Sequence, residues 1–475
     1  MSTVRRITKN TLVTIAGEIA GKILTLVFMI YAARYLQAEG FGILSFALAF
    51  TGIFGIFPDI GFFPLIVREV ARDKSAASKY VGNIVIIKVV LVAGMFGIMC
   101  LTINLMGYPH QTIKAVYILG LEAVLEAFSM IFRATFQAFE KLEYISIGKI
   151  LKNSLLISGA FFIMHKGLGL IGFAVLYPLA GSVSLFYNLG IGVKKFVKPK
   201  LEIDVKFWRW IMKEGAPFWL SDIFWVIYFS VDSVMLSIIV GDVAVGLYNA
   251  AYKLVFALSF IPTALIASIF PVTSRLYTSS RDTLRFAWEK SFKYLFIIGV
   301  AIGVGTTFLA DKIILLLYGS EYASSAIALK ILIWAEVALF LSIALINLLN
   351  SINRQIIVTK VTGTLAILNV IMNLLLIPEY SYVGASIATV ITEFLSFMFL
   401  FSWISRSEYR LPNRNILSIV LKTGFAGLTM GGFIKYFGNI NVGILVILSV
   451  LIYFAIIYLL RGFDETDMNM IRRLF

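Results

Sequence analysis

The chain has 475 residues, of which 60% are hydrophobic and 14% are charged, and its mean hydropathy is +0.93. A soluble protein carries about 25% charged residues, so this composition excludes an ordinary soluble domain. The net charge of +15 would indicate a nucleic-acid partner in a soluble protein, but in a membrane protein it marks cytoplasmic loops, and we expect no nucleic-acid partner. One cysteine excludes an internal disulfide, and with two histidines it gives no basis for a metal centre.

Runs of about 20 apolar residues recur along the whole chain, and a helix needs this length to cross roughly 30 Å of hydrocarbon. Membrane spans are helices or closed barrels, and continuous rather than alternating apolar runs indicate helices. The sequence therefore predicts an all-α polytopic membrane protein with fourteen transmembrane helices. The predicted spans are 8–36, 41–66, 81–106, 112–136, 144–165, 168–192, 214–239, 244–270, 287–310, 325–350, 356–377, 382–404, 416–436 and 441–460.

The charge of the loops predicts the orientation of the chain. With the N-terminus in the cytoplasm, the loops and tails assigned to the inside, counted with the outermost two residues of each span, hold 25 Lys and Arg residues, whereas those assigned to the outside hold only Lys166, Lys312 and Lys435. Cytoplasmic loops are enriched in Lys and Arg. We therefore expect a multi-pass protein of the cell (cytoplasmic) membrane with both termini in the cytoplasm.

An internal repeat predicts two related halves. The segment that begins Phe41-Gly42 is similar to the one that begins Val245-Gly246, displaced by 204 residues, and Gly172 corresponds to Gly384 at a displacement of 212. Six helices in each half give both halves the same orientation, and transporters place substrate sites between such repeats. We expect two pseudo-symmetric six-helix lobes at 1–192 and 214–404, a basic cytoplasmic linker at 193–213, and two additional helices with a tail at 405–475.

Charged residues inside spans are costly and usually face a polar interior or a partner. Lys22, Lys253 and Lys88 are the candidates for binding an anionic headgroup, because ammonium groups suit a diphosphate. The alternative is that Lys22 neutralises Glu18 and that Lys88 reaches the inner interface.

Other charged residues in or near the spans are candidates for ion coupling or for holding loops together. Helix–helix hydrogen bonding is the alternative for each carboxylate. Asp59, Arg68 and Glu69 lie near the inner interface and are candidates for a structural or gating network. The candidate coupling or cavity carboxylates are Glu18, Asp222, Glu122, Glu126, Glu336 and Glu393.

Four motifs resemble the oligosaccharide (O-antigen type) flippases, a polysaccharide biosynthesis family of the multidrug/oligosaccharidyl-lipid/polysaccharide exporter superfamily. They are the Asp59–Ala71 stretch with Arg68-Glu69, Gly246-Leu-Tyr-Asn-Ala-Ala-Tyr-Lys253, Asp232-Ser-Val-Met-Leu, and Gly384-Ala-Ser-Ile-Ala388. The resemblance covers nearly the whole chain. It implies a V-shaped molecule whose cavity opens alternately to each side, with Lys22 and Lys253 placed to meet a lipid diphosphate and the last two spans forming a groove for the lipid tail.

We therefore expect a flippase, and no enzyme, that moves a polyprenyl-(di)phosphate-linked oligosaccharide to the outer leaflet. The absence of an ATPase motif predicts no cofactor and coupling to a Na⁺ or H⁺ gradient or to the substrate gradient. The expected partners are the lipid-linked glycan, membrane lipid, and a polysaccharide polymerase or glycosyltransferases of the same pathway. A cation-coupled multidrug exporter and a peptidoglycan lipid precursor flippase are the alternatives. A membrane glycosyltransferase is disfavoured, because the longest outer loop, 311–324, holds only Asp311 and Glu321 as carboxylates.

Overall fold

The computed structural model describes residues 3–409, 413–464 and 467, without the side chains of 3–16, 18, 413–416 and several residues between 267 and 279. The described chain is built from helices, with short 3₁₀ turns at Lys74–Ala76 and Ser320–Tyr322. The α-helices are α1 Thr3–Phe54, α2 Phe62–Arg72, α3 Ala77–Leu105, α4 His110–Ala138, α5 Leu142–Lys166, α6 Gly169–Lys195, α7 Val205–Ile239, α8 Asp242–Ala257, α9 Phe260–Ser279, α10 Arg281–Leu317, α11 Ser325–Ser351, α12 Gln355–Ser405, α13 Asn413–Tyr436 and α14 Val442–Leu459.

Twelve helical segments of the described chain are long and apolar enough to cross a membrane. This confirms the predicted all-helical membrane class. Two of these segments belong to very long helices, α1 with 52 residues and α12 with 51, and each is interrupted by one non-helical residue, Gln37 (φ 59°) and Ser381 (φ 55°). Both interruptions fall where the sequence predicts a loop between two spans. The count of fourteen spans and the lobe layout stay predictions.

Two predicted spans are shorter in the structure than the sequence indicated. The second, 41–66, was wrong at its C-terminal end, because α1 stops at Phe54 and α2 is a separate helix of 11 residues. Pro58 lacks an N–H for a helical hydrogen bond, and Gly61 adopts a left-handed φ of 65°. The eighth, 244–270, is broken between α8 and α9, where the ring of Pro262 would clash with the carbonyl four residues earlier in a continuous helix.

The chain divides into two compact units. Unit 1 comprises Met1–Lys253 and Ala366–Ala385, and unit 2 comprises Leu254–Leu365 and Ser386–Phe475. The predicted lobe boundaries stay a prediction. A core in unit 1 is formed by α2, α3, α4 and the start of α7, with Leu65, Ile84 and Phe136 fully or almost fully buried.

Unit 2 contains two apolar cores among its described residues. One surrounds Trp288 and Phe292 of α10 and includes Leu345 of α11. The other joins α10 to α13 and α14, where the Tyr453 hydroxyl donates a hydrogen bond of 2.9 Å to the Ile297 carbonyl. The predicted last two helices therefore pack against α10.

The predicted linker at 193–213 is non-helical only from Phe196 to Asp204, since α7 begins at Val205. The Asp204 side chain caps α7 by accepting a hydrogen bond of 2.9 Å from the Phe207 N–H. The extended part lies against the start of α3, where the Lys200 N–H donates to the Ser78 carbonyl at 3.1 Å. This hydrogen bond fixes the extended part of the basic segment to α3 of unit 1.

Candidate functional site

An ionic cluster joins α4 to α5 inside unit 1. Lys152 on α5 forms an ion pair with Glu122 and lies 3.6 Å from the Glu126 carboxylate. Arg133 on α4 pairs with the other oxygen of Glu126. The side chains of Lys152 and Glu122 are only 23% and 11% exposed. The cluster therefore holds two cations and two carboxylates with little access to solvent.

Glycine on α6 makes room for this cluster. A Cβ atom at Gly181 would lie 1.8 Å from the Glu122 Oε2 atom, so no larger residue fits without moving the carboxylate. The sequence placed Glu122 and Glu126 on one helix face, but it did not single out Lys152. A lysine within the predicted fifth span was the available signal.

Glycines on α1 allow close contact with α5. A Cβ at Gly17 would lie 2.5 Å from the Ser146 hydroxyl, and one at Gly21 would lie 2.9 Å from the Lys149 side chain. The Asn153 amide donates a hydrogen bond of 2.9 Å to the Gly21 carbonyl. Lys149 therefore packs beside the residue that precedes Lys22.

Lys22 is partly buried and has interactions within the structure, whereas the side chain of Glu18 lies outside the described residues. The predicted pairing of these two residues therefore stays a prediction.

Lys88 is buried in the structure, with 1% of its surface exposed. Its ammonium group donates a hydrogen bond of 2.9 Å to the Ala127 carbonyl and lies 3.4 Å from the Asp59 carboxylate. These contacts tie α3 and α4 to the turn between α1 and α2. They favour a structural role, and headgroup binding by Lys88 stays a prediction.

Arg68 and Glu69, two residues of the predicted structural or gating network, lie where α2 contacts α7. The Arg68 guanidinium lies 2.6 Å from the Glu69 carboxylate and 3.5 Å from that of Glu214. The hydrogen bond from Arg68 to Glu69 raises the pKa of Arg68 above its usual value. Beside this network, a Cβ at Gly215 would lie 1.9 Å from the Ile60 carbonyl. The backbones of the α1–α2 turn and of α7 therefore touch here.

A second close contact joins the two glycines of the predicted repeat. A Cβ at Gly42 would lie 1.8 Å from the carbonyl of Asp242, and one at Gly246 would lie 1.9 Å from the carbonyl of Ala38. The carbonyl that faces Gly42 belongs to the residue four positions before Gly246, and the carbonyl that faces Gly246 belongs to the residue four positions before Gly42. This reciprocal contact is the one expected of two equivalent segments related by a pseudo-two-fold axis.

A cavity of about 540 Å³ lies in unit 1 beside the α1–α2 turn and α7. Asp59 and Asp222 both line it, and Asp222 is exposed. From the sequence, Asp59 is a candidate for a structural or gating network, and Asp222 is a candidate coupling carboxylate. In the structure both line the same cavity.

Lys253 is partly buried near a polar group of α7, α8 and α12. Asp232, which is 3% exposed, accepts hydrogen bonds of 2.6 Å from the Tyr248 hydroxyl and from the Asn373 amide. The rings of Tyr248 and Tyr252 stack at 5.4 Å, and the Lys253 ammonium lies 5.7 Å from the centre of the Tyr252 ring. Among the described side chains, no carboxylate pairs with Lys253.

Glu336 and Glu393 belong to unit 2 and are buried, with 4% and 6% of their surfaces exposed. Both make interactions within the structure. Their burial is compatible with either ion coupling or helix–helix bonding, so the predicted coupling role stays a prediction. Within the described residues, no group of three His, Cys, Asp or Glu side chains is arranged to hold a metal ion.

The sequence profile of the family described as polysaccharide biosynthesis protein matches residues 7–277, which is more than half of the chain. The chain belongs to this family. A second profile, MatE, matches residues 217–375. The predicted superfamily is confirmed, and the chain is a multi-pass membrane protein of the multidrug/oligosaccharidyl-lipid/polysaccharide exporter superfamily.

The similar curated proteins include three from archaea. An uncharacterized membrane protein of Methanocaldococcus jannaschii is 29% identical over 58% of this chain and 54% of its own length. The probable flippase AglR of Haloferax volcanii is 24% identical over 51% and 53%, so the chain spans about half the length of these two relatives. The probable low-salt glycan biosynthesis flippase Agl15 of the same organism is 20% identical over 76% of both chains.

Two solved structures share the fold. A lipid II flippase MurJ in an inward closed conformation superposes with a TM-score of 0.76, at 16% identity over 96% of this chain and 99% of that one. An inward-facing MATE family multidrug resistance transporter gives a TM-score of 0.69, at 17% identity over 83% and 97%. At these identities the likeness shows the fold alone.

Proposed function

We propose that this protein is a flippase that moves a polyprenyl-(di)phosphate-linked oligosaccharide from the cytoplasmic to the outer leaflet by alternating access. The protein then lies in the cytoplasmic membrane with both termini inside. The basic loops support this orientation, because cytoplasmic loops are rich in Lys and Arg. A polymerase or glycosyltransferases of the same glycan pathway would supply or consume the lipid-linked glycan.

The observation that carries the proposal is a group of four partly buried cations in unit 1, namely Lys22, Arg133, Lys149 and Lys152. Lys149 packs against Gly21, which precedes Lys22 in the chain, and lies one helical turn from Lys152, while Lys152 and Arg133 pair with Glu122 and Glu126. Partly buried cations attract an anionic group strongly, because the surrounding dielectric is low. A diphosphate headgroup has the matching charge and several acceptor oxygens.

Lys253 on α8 is the second cationic contact in this proposal. Its ammonium group has no carboxylate partner among the described side chains and lies beside an aromatic ring. A partly buried cation without a counter-ion is stabilised when an anion binds. Lys22 and Lys253 therefore make the pair of residues whose removal tests headgroup capture.

Coupling to a Na⁺ or H⁺ gradient is part of the proposal. Asp222 is the candidate that faces an open cavity, whereas Glu122 and Glu126 are paired with cations and Glu336 and Glu393 are buried. An ion gradient imposed across proteoliposomes should accelerate outward flipping by wild type, and Asp222→Asn should remove that acceleration. Acceleration that survives in the variant would exclude Asp222 as the coupling group.

A cation-coupled multidrug exporter is the second candidate, favoured by the MatE match over residues 217–375. The two functions differ in the charge of the cargo. Proteoliposomes should be loaded in parallel with a fluorescent polyprenyl-diphosphate-linked oligosaccharide and with a cationic dye. We expect outward movement of the lipid and no ion-driven export of the dye. The opposite result would favour the exporter, and a preference for lipid II alone would favour a peptidoglycan precursor flippase.

A further inference from the structure

The cavity in unit 1 combines aromatic rings with the polar groups of Ser221 and Asp222. Its volume of about 540 Å³ falls within the range of roughly 300–1,000 Å³ that is usual for small-ligand sites. It lies on one side against the α1–α2 turn and on the other against α7. The lining residues used below are Asp59, Phe63, Phe218, Ser221, Asp222 and Trp225.

Aromatic side chains are presented on the α7 wall of the cavity. Trp225 has 54% of its surface exposed and Phe218 has 39%. The Trp225 ring is supported from behind by Phe229, with the ring centres 4.2 Å apart. A large exposed ring that is already held in place loses little conformational freedom when a flat apolar surface stacks on it. The C–H face of a pyranose ring is such a surface.

Polar groups with free hydrogen-bonding capacity lie beside these rings. Asp222 has no hydrogen bond or ion pair with any side chain that the structure describes, and an ionised carboxylate accepts hydrogen bonds through two oxygens. The Ser221 hydroxyl donates to the Pro217 carbonyl at 3.2 Å, so its lone pairs are left to accept. Neighbouring hydroxyl groups of a sugar are donors that match these acceptors.

The cavity carries less negative charge than its two carboxylates suggest. Asp59 also lines the cavity, but the Lys88 ammonium lies 3.4 Å from its carboxylate and offsets its charge. Only one uncompensated carboxylate then faces the ligand. A site for a cation would combine this carboxylate with the Trp225 face, which makes cation binding the outcome to be tested against sugar binding.

We propose that the cavity lined by Trp225, Phe218 and Asp222 binds a sugar ring of the transported glycan, apart from the lysines that meet the diphosphate. This inference rests on the proposed function, since the sugar belongs to the same cargo. It assigns recognition of the glycan to α7 and recognition of the headgroup to α1, α4, α5 and α8. The two contacts are therefore separable by mutation.

The test measures the affinities of two lipids for the purified protein in nanodiscs. The probes are undecaprenyl diphosphate and the same lipid carrying a neutral N-acetylglucosamine disaccharide. We expect wild type to bind the sugar-bearing lipid more tightly. Trp225→Leu should lower the affinity for the sugar-bearing lipid by about tenfold, as expected for loss of an aromatic stack. It should leave the affinity for the bare lipid within about twofold of the wild-type value. Trp225→Phe should recover part of the loss.

Trp210→Leu is the matched control, because Trp210 is also an exposed tryptophan of α7, at 39%, but does not line the cavity. It should change neither affinity. Equal wild-type affinities for the two lipids, or equal loss of both in Trp225→Leu, would overturn the inference while leaving the flippase proposal in place. Binding of neither lipid by wild type would overturn both.

The Asp222→Asn variant distinguishes a sugar ligand of the cavity from a cationic ligand. The amide keeps one acceptor oxygen, so we expect the sugar-bearing lipid to lose affinity by about threefold to tenfold and not completely. Tetraphenylphosphonium is the cationic probe. Tight binding of this ion that Asp222→Asn abolishes, with no change for the sugar-bearing lipid, would assign the cavity to organic cations and overturn the inference.

Discussion

Replacing Lys152 tests how the ionic cluster of unit 1 is held together. Lys152→Met keeps most of the side-chain length and removes the charge, which leaves Glu122 without its cation while Glu126 keeps Arg133. Breaking a buried ion pair costs about 3–5 kcal/mol because the remaining charge is unpaired. Lys152 is 23% exposed, so we expect a loss at the lower end, about 3 kcal/mol.

The measurement is thermal unfolding in detergent, followed by intrinsic fluorescence. Lys152→Met should lower the apparent melting temperature by several degrees, and adding Glu122→Gln should recover at least half of that loss because no unpaired carboxylate remains. Lys114→Met is the control, since Lys114 is an exposed lysine of α4, and it should change the free energy of unfolding by less than about 0.5 kcal/mol. A double variant no more stable than Lys152→Met would refute the pairing argument.

Two further predictions concern a backbone contact and a pH dependence. Gly42→Ala should destabilise unit 1 by 2 kcal/mol or more, in the approximate range of core overpacking, while Gly52→Ala, which has nothing within 4 Å, should be neutral or stabilising in the same thermal assay. Equal melting temperatures for the two variants would contradict the reciprocal glycine contact. Burial raises the pKa of Asp467, but hydrogen bonds from Lys290 and Lys293 outweigh it and hold that pKa below its usual value. The stabilisation by ionised Asp467 is therefore complete above about pH 4 and is lost as the pH falls further. Wild type should then lose its stability advantage over Asp467→Asn in acid. A constant difference in stability from pH 7 to pH 3 would exclude ion pairing of Asp467 with Lys290 and Lys293.

The sequence predicted the membrane class and the repeat because both depend on local patterns. Apolar runs of about 20 residues need no tertiary information. The equivalence of Gly42 and Gly246 could be inferred from the sequence, although the direct contact between their segments could not. Spacing of four residues placed Glu122 and Glu126 on one helix face, as the structure has them.

The partners of those residues could not be predicted, because they depend on which helices pack together. Lys152 lies 30 residues from Glu122 in the chain and meets it only when α4 and α5 are in contact. The separation of α2 from α1 depended on turn conformation at Gly61, which a hydropathy pattern does not report. The cavity at Trp225 and Asp222 combines residues of α7 with a turn more than 150 residues away, so its aromatic wall had no signature in the sequence.

The central claim is that cations in the spans capture the diphosphate of a lipid-linked glycan. Its most direct test is flipping of a polyprenyl-diphosphate-linked oligosaccharide by wild type and by Lys22→Ala/Lys253→Ala in proteoliposomes, with equal folding checked by thermal unfolding. The account predicts outward appearance of the lipid with wild type and its loss with the double variant. Undiminished flipping by a folded double variant would contradict it and assign both lysines to structural roles.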